Sequence, residues 1–148
     1  MAKALFYRWF GVGRFPPAMM PQVHSEGIQF FDEGVRGVLT YRNFHRPGLR
    51  TALDKRLFIG AIVLTNVRLL AVSGNNKLVD VPLSDERLKR MRFTLDDGAF
   101  LISFDASLFH NDWSGTIEYK YKCEESQRLL DLLQPSLIPS GVVQPTST

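Results

Sequence analysis

A mainly β fold, seven antiparallel strands followed by one C-terminal α-helix, is predicted by three features of this 148-residue chain. The first is residues 57–72, where two apolar runs rich in Ile and Val meet at Thr65-Asn66. β-branched side chains suit a pleated, half-buried surface, and Thr and Asn suit a reversal, so the stretch reads as a β-hairpin at the centre of a sheet. The second is period-two alternation, clearest in residues 35–44 and 114–122. The third is a change of period at residues 124–134, where Leu129, Leu130 and Leu133 share a helical face with Ser126.

Taken in order, residues 1–22 stand apart. Leu5, Phe6, Tyr7, Trp9 and Phe10 crowd together, and a helix over residues 2–10 would gather Leu5, Phe6, Trp9 and Phe10 on one side. Nine residues do not hold a helix alone in water, so the segment must dock on something. Filling an open face of its own sheet is one expectation; an interfacial anchor or oligomer contact through Phe6, Trp9 and Phe10 is the other. Gly11, Gly13, Pro16, Pro17 and Pro21 are expected to break any regular element there.

Residues 28–32 read as a short entry strand. In 35–44, Val35, Gly37, Leu39 and Tyr41 alternate with Arg36, Val38, Thr40 and Arg42. Residues 45–56, with Pro47-Gly48 as a turn signal, read as a loop. After the central hairpin come a turn at 73–77, a strand at 78–83 in which Pro82 marks a strand end or a sheet edge, a strand at 88–95 with Met91, Phe93 and Leu95 inward, and a hairpin turn at Asp96-Asp97-Gly98. Strands at 99–105 and 114–122 follow, the latter alternating Ile117, Tyr119 and Tyr121 against Thr116, Glu118 and Lys120. Pro135 is expected to end the helix, and residues 135–148, uncharged and rich in Pro, Ser and Thr, read as a flexible tail. The resulting division is an extension at 1–26, a domain at 27–134 and the tail.

Composition bounds the class. A length of 148 residues with 45% hydrophobic content suits one domain with one core. Residues 1–92 hold fifteen Lys and Arg against seven Asp and Glu, and residues 93–148 three against eight, which permits a basic face. Cys123 is the single cysteine, too little for an internal disulfide or a cysteine-based metal site. No apolar run approaches the ~20 residues of a membrane-spanning helix. Arg8 interrupts the N-terminal aromatic run and no small-x-small cleavage pattern follows, so no signal peptide is expected and a cytoplasmic location, with peripheral membrane contact, is the expectation.

Seven strands and then a helix resemble the pleckstrin-homology-like superfold. The segment from Gly60 through Thr65-Asn66-Val67-Arg68 to Leu70 is similar to the hairpin of GRAM and bacterial PH-like domains: Gly, an apolar run, Thr-Asn-x-Arg, an apolar run. The resemblance covers roughly residues 27–134 and implies a strongly bent antiparallel sandwich or barrel with one corner closed by the helix. It also implies a binding module, because members bind phosphoinositides, phosphopeptides or proline-rich peptides, or serve assembly. In phosphoinositide binders the loop between the first two core strands carries a basic cluster. That loop corresponds to residues 45–56 if 35–44 is the first core strand, and moves if 28–32 is. The lipid-binding pattern wants basic residues alternating along the second strand; here Lys55 and Arg56 are adjacent and Phe58 stands where another Arg is expected.

For chemistry, Arg42, Arg46, Arg50, Lys55 and Arg56 are the ligand-binding candidates, since guanidinium forks suit phosphate, with Arg90 and Arg92 as a second basic patch. Charge alone attaches weakly to a membrane, and Phe6, Trp9 and Phe10 would supply the apolar second signal. His24, His45 and His110 are isolated in sequence, no nucleophile elbow or phosphate loop occurs, and neither catalysis, a cofactor nor a metal is expected. The partner is read as an anionic membrane surface or a protein, with a homo-oligomer open; nucleic acid is not expected, for want of interleaved exposed aromatics.

Overall fold

Backbone alternation carries a single strand much further than the sequence pattern does. In the computed structural model, which describes residues 13–137, β1 runs unbroken over Ile28–Arg46. The entry strand and the strand at 35–44 are one element with a register shift between Asp32 and Val35, where Gly34 takes a φ of 67°. Such a bulge re-aims the chain, and this one holds the N-terminal segment. The Phe15 amide donates to Glu33 at 2.8 Å, and the Gly34 amide to the Gly13 carbonyl at 3.0 Å.

β2 spans Leu49–Thr65, so the expected loop at 45–56 is instead the end of a long hairpin. Arg46 and Leu49 are paired across a two-residue turn at Pro47-Gly48. Proline presets the first turn angle, and Gly48, at a φ of 84°, supplies the positive angle that a tight reversal needs next. β3 (Arg68–Ser73), β4 (Asn76–Pro82), β5 (Arg92–Asp96), β6 (Ala99–Asp105) and β7 (Ser114–Tyr121) complete one antiparallel sheet ordered β4-β3-β2-β1-β7-β6-β5. The sheet is mainly β as expected and is not closed into a barrel: β4 and β5 are its two outer strands. The strand read at 88–95 is a 3-10 turn, Glu86–Arg90, followed by β5, and Leu95 is exposed rather than inward.

One cluster draws buried side chains from all seven strands, among them Phe30, Ile62, Leu69, Val81, Phe93, Ile102 and Tyr121. Strands at opposite ends of the sheet share a core only if the sheet bends over on itself. Tyr121 of β7 crosses this core and donates its hydroxyl to the Val72 carbonyl of β3 at 2.9 Å. Burial pushes its phenol well above the ordinary value, so it is held as a donor. The helix α2 covers Ser126–Leu137 and buries Ser126, Leu129 and Leu133 in the same cluster. It runs two residues past Pro135, where the missing amide costs a single bond in the last turn.

A second cluster lies on the other side of β2 and β3. Ala61, Val63, Leu70 and Val72 pack there against Phe15 and Val23. Val23 sits on α1, Met20–Glu26, a helix the prolines were expected to prevent; Pro21 falls in its first turn, where no amide bond is lost. Residues 13–26 thus cover an otherwise open face of the sheet. The aromatic residues Phe6, Trp9 and Phe10 and the helix read at 2–10 lie outside the described residues, as does the tail beyond 137.

The central hairpin turn is fixed by Thr65, which is fully buried. Its hydroxyl accepts the amides of Val67 and Arg68, each at 3.1 Å, and donates to Glu26 of α1 at 2.9 Å. Arg68 bridges Glu26 at 2.9 Å and Asp80 of β4 at 3.2 Å. Burial works against its charge, but the hydrogen bonds of the two carboxylates more than offset this and hold the guanidinium above its ordinary value. Thr65→Val keeps the shape and leaves two amides without their acceptor. It is expected to destabilise the fold by about 2 kcal/mol in urea titration, and Thr65→Ser by clearly less.

Candidate basic arm at the β1–β2 hairpin

The β1–β2 hairpin outruns its neighbour on one side. β3 pairs only with residues 61–64 of β2, whereas β2 continues paired to β1 down to Leu49. Among the described residues, no strand flanks the outer side of β2 over residues 49–60. On the other side β7 supports β1 from Gly37 to His45. The result is a two-stranded arm braced by β7 along one edge and, among the described residues, left without a strand along the other.

The far end of the arm is set by a second bulge. Asn43 takes a φ of 48°, and the β1–β7 register shifts between Arg42 and His45. Asn tolerates this left-handed angle better than other non-glycine residues. Beyond it Phe44 is buried, with its ring 4.5 Å from Tyr41 and edge-on to Trp113 at 5.4 Å. His110 stacks on Trp113 at 3.7 Å, and the Arg46 guanidinium lies 5.7 Å from the same indole. Aromatic contacts therefore pin the tip to the connection between β6 and β7.

The five basic candidates do not converge on one pocket. Arg42 is tied to Glu118 at 3.0 Å and Arg56 to Asp54 at 3.0 Å, the latter with its guanidinium 5.9 Å from the Tyr41 ring. Arg46, Arg50 and Lys55 have no carboxylate partner among the described residues. Arg50 lines a shallow groove of about 400 Å³ at the tip, with His45, Thr51 and Ser114. Arg50 pairs across with His45, and His45 with Ser114, so these three form one row over β2, β1 and β7. Adjacent strands lie about 4.8 Å apart, a spacing that lets the row's polar ends converge on one phosphate-sized anion.

Arg42 and Lys55 share a separate groove of about 340 Å³ with Lys120, Glu118 and Asp96. There Lys120 pairs with Asp96 at 3.0 Å, so its charge is largely internally compensated. The second patch is divided as well. Arg92 stands in the row Lys55–Thr40–Glu118–Ser103–Arg92 across five strands. Arg90 lines a third groove with Asp105 and Asn111. The Ser107 hydroxyl and amide hold the Asp105 carboxyl below its ordinary value.

Residues that sequence reasoning missed complete the arm. Leu53 and Leu57 are 55% and 85% exposed, and Leu49 is 36% exposed at the tip. Their signal was present as Leu at every fourth position through 49–57, which in a strand falls on one face. His45, Trp113 and Ser114 join the tip only through the pairing of β1 with β7 and the aromatic contacts. Among the described residues, no three metal-ligating side chains converge and no helix is long and apolar enough to cross a membrane. No family model, curated protein or solved structure matches this chain.

Proposed function

We propose that this chain is a non-catalytic binding module of the PH-like kind, whose β1–β2 arm docks by its tip on an anionic, phosphate-bearing surface. The observation that carries this reading is that Arg46 and Arg50, neither with a carboxylate partner among the described residues, stand on the two faces of the hairpin tip, Arg46 paired with the partly exposed Leu49 and Arg50 with His45. The row of Arg50, His45 and Ser114 is the place for a phosphate group. The strand order and the C-terminal helix support the PH-like reading, together with the Thr-Asn-x-Arg hairpin at residues 65–68. Basic residues near an anionic bilayer contribute about 1 kcal/mol each, so charge at the tip needs the apolar contact of Leu49 beside it. The location that follows is the cytoplasmic side of a membrane, with peripheral attachment.

The test is co-sedimentation of the full chain with vesicles of anionic or neutral lipid over a range of salt. Binding to anionic vesicles is expected to exceed binding to neutral ones by at least tenfold and to fall steeply as salt rises. Equal binding to both, or none, would remove the anionic-surface reading. A second reading, a protein-interaction module, is favoured by one separate observation: no strand among the described residues pairs with the outer edge of β2 over residues 49–60.

A further inference from the structure

We infer that the outer edge of β2, which no described strand covers, accepts one extended segment of an acidic partner protein as an added antiparallel strand, recognised by the pattern apolar-x-acidic-x-apolar. This deepens the protein-interaction reading and is independent of the docking at the tip. An edge strand presents unpaired amide and carbonyl groups at alternate residues, which is a template for another strand. The edge here is long, twelve positions from 49 to 60, and β1 and β7 stiffen it from behind.

Side chains on one face define the sequence that fits. Leu53, Lys55 and Leu57 point the same way, and the Lys55 ammonium makes no hydrogen bond or ion pair with any described residue. Leu53 and Leu57 are the two most exposed large apolar side chains of the described chain. Residues directly opposite in an antiparallel pair share a face and lie about 5 Å apart, so an added strand sets its own side chains against these three. An apolar residue meets Leu57, an acidic one Lys55, and an apolar one Leu53.

Charge decides between occupants. A second copy pairing its β2 with this one in the register that sets Leu53 opposite Leu57 also sets Lys55 opposite Lys55. Residues 1–12 carry Lys3 and Arg8 and no Asp or Glu. Both place like charge along an edge that already bears Arg50, Lys55 and Arg56 against Asp54 alone. A segment with a carboxylate between two apolar residues meets the edge with the opposite sign.

The experiment uses the full chain and a synthetic peptide containing valine–threonine–glutamate–threonine–valine, against the same peptide with lysine in place of glutamate. The glutamate peptide is expected to bind at least tenfold tighter and to protect from hydrogen exchange those amides of residues 49–60 that are not bonded to β1. Lys55→Glu is expected to reverse that preference. Equal affinity for both peptides, or no binding, overturns the proposal. So does strong protection of the same amides in the peptide-free protein, which would mean that residues 1–12 or a second copy already fill the edge. No lipid is present in this assay and no peptide in the vesicle assay, so the two readings fail separately. A glutamate preference with protection elsewhere in the chain also overturns this site while leaving an acidic-partner reading.

Discussion

Arg46→Glu combined with Arg50→Glu is expected to lower affinity for anionic vesicles by two to three orders of magnitude. The reasoning is additive electrostatics at one surface. Each basic residue near an anionic bilayer is worth about 1 kcal/mol, and reversal both removes two attractions and adds two repulsions. The total is about 4 kcal/mol before screening and about 3 after it, where each 1.4 kcal/mol is a factor of ten. The fold should tolerate the change. Both side chains are exposed and neither has a carboxylate partner among the described residues. The structural loss is the Arg46 contact with Trp113, worth about 0.5–1 kcal/mol at an exposed site. Arg87, bound to Asp85 at 2.7 Å in the turn before β5, is the control. Arg87→Gln is expected to leave vesicle binding within about twofold, since the pair already cancels most of its charge. Co-sedimentation and a thermal melt on each variant separate lost docking from lost folding.

Gly60→Ala is expected to destabilise the protein by about 3 kcal/mol, read as the shift in a urea transition. At this position β2 stops pairing with β3 and begins the arm. A methyl group there would overlap the Val72 carbonyl oxygen, a backbone atom that cannot rotate away. The same oxygen accepts the buried Tyr121 hydroxyl, so moving it breaks the bond that joins β3 to β7 across the core. Overlap with backbone and loss of a buried hydrogen bond thus act together. Gly48→Ala is the contrast. Nothing lies within 4 Å of a methyl group at Gly48, and only its φ of 84° resists the change. That costs about 1 kcal/mol, the price of a left-handed angle for an L-residue.

The sheet was legible where burial imposes a period. β3 and β7 could be read because one or both faces are apolar, and the turn between β2 and β3 because Thr65-Asn66 interrupts two Ile- and Val-rich runs. The helix α2 showed through Leu129 and Leu133. The arm was illegible for the opposite reason. Residues 49–57 are exposed or half-buried throughout, so burial imposes no continuous apolar face: Thr51 and Lys55 interrupt the face of Leu49, Leu53 and Leu57, and the polar, basic composition reads as a loop. α1 was hidden by its length of seven residues and by a proline that is harmless only because it sits in the first turn. Pro135 misled at the other end, since a helix can carry one proline where few bonds remain to lose.

The candidate site was legible as a list of residues and not as an arrangement. Arg42 and Glu118 lie 76 positions apart in sequence, and only the pairing of β1 with β7 brings them together. That ion pair removes Arg42 from the set of free cations, as Asp54 removes Arg56. The row Arg50–His45–Ser114 likewise needs three strands in register, with a bulge at Asn43 that no composition announces.

Amide signals of the isotope-labelled full chain, followed as anionic lipid nanodiscs are added, test the arm most directly. Docking by the tip predicts attenuation centred on residues 45–50 and on Trp113 and Ser114, spreading along the arm at higher lipid and absent with neutral discs. Attenuation centred on α2 or on the outer strand β4, with residues 45–50 unchanged, would contradict it.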